Sequence, residues 1–105
     1  MTPEEAQKEL RERLPLGGKL HIREFARDTR TKWMQLRFFV IENDDLQDIT
    51  ELIGIALRNT PAGGYRVDKQ HPDLFETMYD GHAMVLWIAR VLHPDVRLPF
   101  KENFL

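Results

Sequence analysis

Four histidines and a scatter of acids give this 105-residue chain its chemical range. Asp80-Gly81-His82, taken with His71 or His93, offers imidazole and carboxylate, the donors that zinc and similar ions accept. The spacing matches neither paired C-x-x-C nor H-x-x-x-H, so the plainer reading is a turn at Asp80-Gly81. In that turn Gly81 would take the left-handed conformation open to glycine, and His82 would cap the element behind it. Asp44, Asp45 and Asp48 put carboxylates close together, yet they miss the calcium-loop pattern, and acids ahead of a helix suit its dipole. Glu76 and Asp80 form the nearest thing to an acid–base pair. The chain contains no cysteine and no serine. Thiol and serine nucleophiles, thiolate metal sites and disulfides are therefore absent from its repertoire. Gly17-Gly18 and Gly63-Gly64 lack the surroundings of a phosphate loop. These residues predict no metal, no cofactor and no enzymatic activity.

Charge carries more information than any catalytic pattern. Six basic residues lie between Lys19 and Arg37 (Lys19, Arg23, Arg27, Arg30, Lys32 and Arg37), against Glu24 and Asp28 alone. Five acids and no base lie between Glu42 and Glu51. Read as a hairpin, the basic segment projects His21, Arg23, Phe25 and Arg27 from one face. Arg30 and Lys32 fall in its loop beside Trp33, and Arg37 on the returning strand. Arginines interleaved with aromatics suit phosphate contacts and base stacking, and they suit an acidic protein surface equally well. The bland alternative is a solvated face whose arginines pair with Glu42 to Glu51 of the same molecule. An overall acidic pI weakens the nucleic-acid version.

Elements that must position these residues follow from pattern. Thr2-Pro3-Glu4-Glu5 is a helix start, with a threonine cap, proline in the first turn and acids at the positive end of the dipole. Ala6, Leu10 and Leu14 share one face of that helix, Glu9 and Arg13 can pair, and Pro15 with Gly17-Gly18 ends it. Leu20 and Ile22 alternate with His21 and Arg23 as a strand, and Phe25 breaks the parity, which predicts either a bulge or the end of the strand. Trp33 to Ile41 alternates best: Met34, Leu36, Phe38 and Val40 on one face, Gln35, Arg37 and Phe39 on the other. A turn at Glu42 to Asp45, a short strand near Leu46 to Ile49 and a helix from Glu51 to Arg58 capped by Thr50 come next. Leu74 to Tyr79 predicts one short strand. Ala83 to His93 fits a buried strand or a helix, and its length together with Met84, Trp87, Ile88 and Val91 favours helix, with Trp87 in the core.

His71-Pro72-Asp73 and His93-Pro94-Asp95 repeat one tripeptide. The second sits after an apolar element like the loop of J-domain co-chaperones, but the basic helix and the following helices of that all-helical domain have no counterpart here. Proline as a stop is sufficient. The apolar tail, Val96, Leu98, Phe100, Phe104 and Leu105, is expected to dock.

With 42% apolar and 30% charged residues, the chain has the composition of an ordinary globular protein rather than a disordered one. Its length predicts one domain. The opening residues lack the basic and apolar regions of a secretory leader, and no run approaches the ~20 apolar residues of a membrane span. A cytoplasmic setting is expected.

The order from Leu20 to Val40, Asp48-Ile49-Thr50 with Leu52, Ile53, Ala56 and Leu57, then Asp68-Lys69, His71, Gly81 and Met84, resembles a family of small phage and prophage proteins of unknown function. Arg23-Glu24-Phe25-Ala26 stands where that family has Arg-His-x-Ser, and Tyr79 to Ala83 where it has Gly-Cys-Gly-Met-Asp. The resemblance implies a phage-derived accessory protein and an α+β fold, and it transfers no functional residue. The combined expectation is an α+β domain, a small mainly antiparallel sheet with an N-terminal helix and two further helices. Its expected role is to bind and modulate a host protein through an acidic surface, with a nucleic acid as the alternative partner, a homodimer as an option and no membrane.

Overall fold

Chain order in the computed structural model is α1 (Pro3–Arg13), β1 (His21–Arg27), β2 (Met34–Glu42), β3 (Asp45–Asp48), α2 (Thr50–Ala56), β4 (Tyr65–Val67), β5 (Phe75–Thr77) and α3 (Gly81–Leu92). The structure describes residues 1–27, 29–30, 33–58, 60, 65–67 and 75–95, with only the backbone for 65–67. Three helices and an antiparallel sheet make the α+β fold that the sequence pattern predicts.

Strand β2 is the organiser. One of its edges pairs along β1; the other pairs with β5 through Met34–Leu36 and with β3 through Phe39–Glu42. β4 extends the sheet beyond β5. The turn into β3 is tight because Asn43 (φ 52°) and Asp44 (φ 64°) both adopt left-handed geometry, the two-residue hairpin turn that matches strand twist.

Met34, Leu36, Phe38 and Val40 are buried against the helices. Phe38 meets Phe75 edge-on at 5.1 Å between ring centroids. Helix α1 contributes Ala6 and Leu10 to this core, with Leu14 just beyond, α2 contributes Ile53 and Ala56, and α3 contributes Met84, Val85, Ile88, Ala89 and Leu92. The stripe of α3 is thus rotated from the expected one: Trp87 is half-buried, leaning on Tyr79 at 6.0 Å.

Helix ends show where local chemistry was and was not readable. Thr2 caps α1 as the opening residues imply, and the structure adds the reciprocal bond from Glu5 that completes a capping box. Thr50, by contrast, lies inside α2; the cap residue is Ile49, with no side-chain cap bond. The Thr50 hydroxyl instead accepts the Phe38 N–H at 2.9 Å, and the Thr50 N–H donates to Asp48 Oδ1 at 2.9 Å. A buried backbone donor facing away from β1 needed an acceptor, and that need outweighed local capping.

Asp80-Gly81 is not a left-handed glycine turn. Asp80 is the N-cap of α3, its Oδ1 accepting from the Ala83 N–H at 2.7 Å, and Gly81 is the first helical residue. His82 follows it in the helix, so the capping role belongs to Asp80. His93 ends α3, and its Nε2 lies 3.3 Å from the Leu14 carbonyl oxygen, tying the ends of α1 and α3 together.

Candidate functional site

All three helices contribute to the core on one side of the sheet. Among the described residues, no helix covers the opposite side of β1 and β2. That outer face is built by strand parity. Its rows are His21–Phe39–Asp48, Arg23–Arg37, Ala26–Gln35–Glu76 and Ile41–Leu46.

The predicted irregularity at Phe25 is real: pairing jumps from Glu24↔Leu36 to Ala26↔Gln35. Phe25 is left unpaired, 62% exposed, with the Arg37 guanidinium 5.2 Å from its ring centroid. The same bulge overturns one expectation. Residues past it change parity, so Arg27 stands opposite Met34 on the helix side of the sheet, not beside Arg23. There its guanidinium bonds Glu24 at 3.2 Å and approaches the Met34 sulfur at 2.9 Å.

Arg23 and Arg37 face each other directly, an arrangement that by itself repels. Arg37 is compensated by Asp48, at 2.9 Å across the diagonal to β3. Arg23 has no carboxylate partner among the described residues, and its guanidinium rests 5.4 Å from the Phe39 ring centroid. The Asp48 carboxyl lies below its ordinary range. Partial burial works to raise it and is outweighed by hydrogen bonds from Thr50 and by Arg37. At the far end of the face Ile41 (57%) and Leu46 (44%) add exposed apolar surface.

The other nominated residues scatter. Arg30 is exposed and Trp33 is half-buried just before β2, while Lys32 lies outside the described residues, as do His71 and the apolar tail from 96 to 105. Asp80, Gly81 and His82 sit at the start of α3. Gly81 and His82 line a cleft of about 440 Å³ whose other walls are Leu20, His21, Ile22, Glu24 and Leu36 of the β1–β2 side. Glu76 accepts from Gln35 Nε2 at 3.2 Å and Asp80 is occupied as a cap, so the two acids have separate partners. No group of three or more metal-ligating side chains occurs among the described residues. Phe39 and Asp48 were missed as site residues. The signal for them was the odd-numbered row of β2, which already contained Arg37.

Comparison with known proteins returns no family model, no curated relative and no solved structure that matches this chain. Among the described residues, no helix is long and apolar enough to cross a membrane.

Proposed function

We propose that this protein is a small, non-catalytic binding module that modulates another protein, and that the outer face of β1 and β2 recognises an acidic surface on that partner. The observation that carries this reading is the opposed pair Arg23–Arg37. Two cations held face to face cost stability, and among the described residues only Arg37 of the two has a carboxylate partner. A partner carboxylate placed over Arg23 would complete the pattern, while Phe25, Ile41 and Leu46 supply apolar contact around it. We further propose, on the resemblance of its residue order to small phage and prophage proteins alone, an accessory protein acting on a host target. A cysteine-free chain suits an intracellular setting.

One observation favours the nucleic-acid reading: Phe25 is exposed beside a guanidinium, as a stacking platform requires. Against it, Arg27 and Arg37 are already occupied by Glu24 and Asp48, which removes much of the free positive charge. Oligonucleotide titrations across a salt series separate the two. Three engaged phosphate contacts would give a slope of log affinity against log salt of roughly −2 to −3. The expected result is weak retention of single- and double-stranded oligonucleotides. Capture from nuclease-treated extract of the source cell should be lost on Arg23→Glu with Phe25→Ser, at a melting temperature no lower than that of the parent chain, since the exchange relieves the facing arginines. Tight, steeply salt-dependent oligonucleotide binding would overturn the protein-partner reading.

A further inference from the structure

Strand β1 pairs only with β2, so its other side is a sheet edge among the described residues. Which of its backbone groups face that edge follows from β2. The Phe38 N–H donates to Thr50 and the Phe38 carbonyl accepts from Ile49, both away from β1. In an antiparallel ladder, facing residues either exchange both hydrogen bonds or both turn away. Ile22 faces Phe38, and Glu24 faces Leu36 two residues on in the same regular stretch. The N–H and C=O of Ile22 and Glu24 therefore point out of the sheet, an open row of two donors and two acceptors.

Ile22 and Glu24 also line the cleft of about 440 Å³ against α3, which is floored by Leu20 and Leu36 and closed by Gly81 and His82. Leu20 and Leu36 are almost fully buried beneath it. Gly81 keeps this wall low, since a Cβ there would come to 3.7 Å from Ile22. An extended chain laid on the edge would bond Ile22 and Glu24 through its backbone. Its side chain opposite Ile22 would fall on the same face as Ile22, into the cleft. The bulge at Phe25 ends the regular edge just past Glu24. Receptive backbone is thereby confined to a short stretch, which admits a peptide and discourages open-ended pairing.

Charge selects the occupant. Glu24 is held by Arg27 at 3.2 Å and Asp80 by its cap bond, so neither acid repels an incoming anion freely. Lys19 and Arg23 are exposed beside this edge and have no carboxylate partner among the described residues, and His21 and His82 stand at the cleft. We infer that β1 receives an extended acidic segment of a partner protein by strand addition, with one apolar side chain of that segment seated between Ile22 and the start of α3. This rests on the protein-partner reading above and names its mode of recognition.

The test uses the full chain and an array of short synthetic peptides in which glutamate or aspartate flanks a single Leu, Val, Ile or Phe. Comparators replace the acids by lysine, replace the apolar residue by serine, or methylate alternate backbone nitrogens. In the free protein the Ile22 and Glu24 amides should exchange with solvent rapidly. The acidic–apolar peptides should protect both amides and shift their NMR signals. Each comparator should bind roughly tenfold more weakly or worse, the size expected for losing one buried side chain or its backbone bonds. Gly81→Leu, checked by melting to be folded, should remove the preference for the apolar peptide over its serine version. Slow exchange of Ile22 and Glu24 in the free chain would show that the edge is already covered, by its own residues or a second copy, and would overturn the inference. So would an array in which no peptide moves those two amides. If peptide signals moved only Phe25, Arg37, Phe39 and Ile41, strand addition would fall while the binding face stood. Failure of every peptide combined with tight oligonucleotide binding would remove both.

Discussion

The two faces of β2 share one backbone and differ in almost everything else. On the helix side, Met34, Leu36, Phe38 and Val40 are each at most 2% exposed. On the outer side, Gln35, Arg37 and Phe39 are half-buried and Ile41 is exposed, with charge and ring stacked alternately. One face holds the fold together and the other carries the opposed arginines that stability alone does not call for. The difference teaches where to look for function: on the side of the best strand that the core does not need.

The largest expected effect tests that division directly. Phe38→Ala should cost about 3–5 kcal/mol, because it empties a ring-sized space against Phe75. Phe25→Ala, on the other side of the sheet, should stay within about 0.5 kcal/mol. Denaturant unfolding of both variants reads the contrast. Comparable losses would mean that the outer face is structural after all.

Next in size is the buried polar link that serves the core face. Thr50→Val keeps the shape and removes the acceptor for the Phe38 N–H, so about 1–3 kcal/mol should be lost. Thr50→Ser should recover most of it. No recovery would mean that the methyl group, not the hydroxyl, holds this position.

A smaller, pH-dependent effect belongs to the outer face. Asp48 is held below its ordinary value of 3.8: partial burial raises it, and the Thr50 and Arg37 interactions more than offset that. Glu42, on the helix side, is lowered chiefly by its hydrogen bond from Arg13. A carboxyl depressed in the folded state contributes stability that is complete above its unfolded value and is lost as pH falls through the folded one. Urea midpoints should therefore be level from neutral pH down to the ordinary carboxylate range and should decline below about pH 4. Asp48→Asn should make that decline shallower. An unchanged acid limb would indicate that the Arg37–Asp48 contact adds nothing to folding.

What the sequence disclosed follows the same split between local and distant causes. The period-two pattern of β2, the helix cap at Thr2 and the parity break at Phe25 are short-range signals, and each has its counterpart in the structure. The parity break is legible in the sequence, but plain alternation puts Arg27 beside Arg23, and only the extra residue at the bulge turns it to the helix side. Thr50 read as a cap because its local context resembles one. Only the position of Phe38 across the sheet gives its hydroxyl another duty. Trp87 fits a helical stripe, but the fold turns α3 so that Val85 and Ala89 are buried in its place. β4, three residues long, has too short a pattern to be seen. The cleft beside Ile22 arises from residues 20 to 82 meeting in space, and no spacing rule reaches that far.

The smallest effect concerns two glycines, one on each kind of backbone. Gly17, after α1, has a φ of 89°, a conformation costly for any residue with a Cβ, so Gly17→Ala should destabilise by about 1 kcal/mol. Gly81 has no such constraint. It begins α3, and a Cβ there would meet Ile22 methyl groups at 3.7 and 3.8 Å, ordinary contact distances. Gly81→Ala should therefore stabilise the chain by about 0.5 kcal/mol, by restricting the unfolded ensemble and adding helix propensity. Opposite signs in paired thermal melts would establish that Gly81 is not required by the backbone. Its small size would then matter for the room it leaves beside Ile22, on the packed side of the hairpin where an added strand would place its side chain. A destabilised Gly81→Ala would instead return the glycine to a purely structural role.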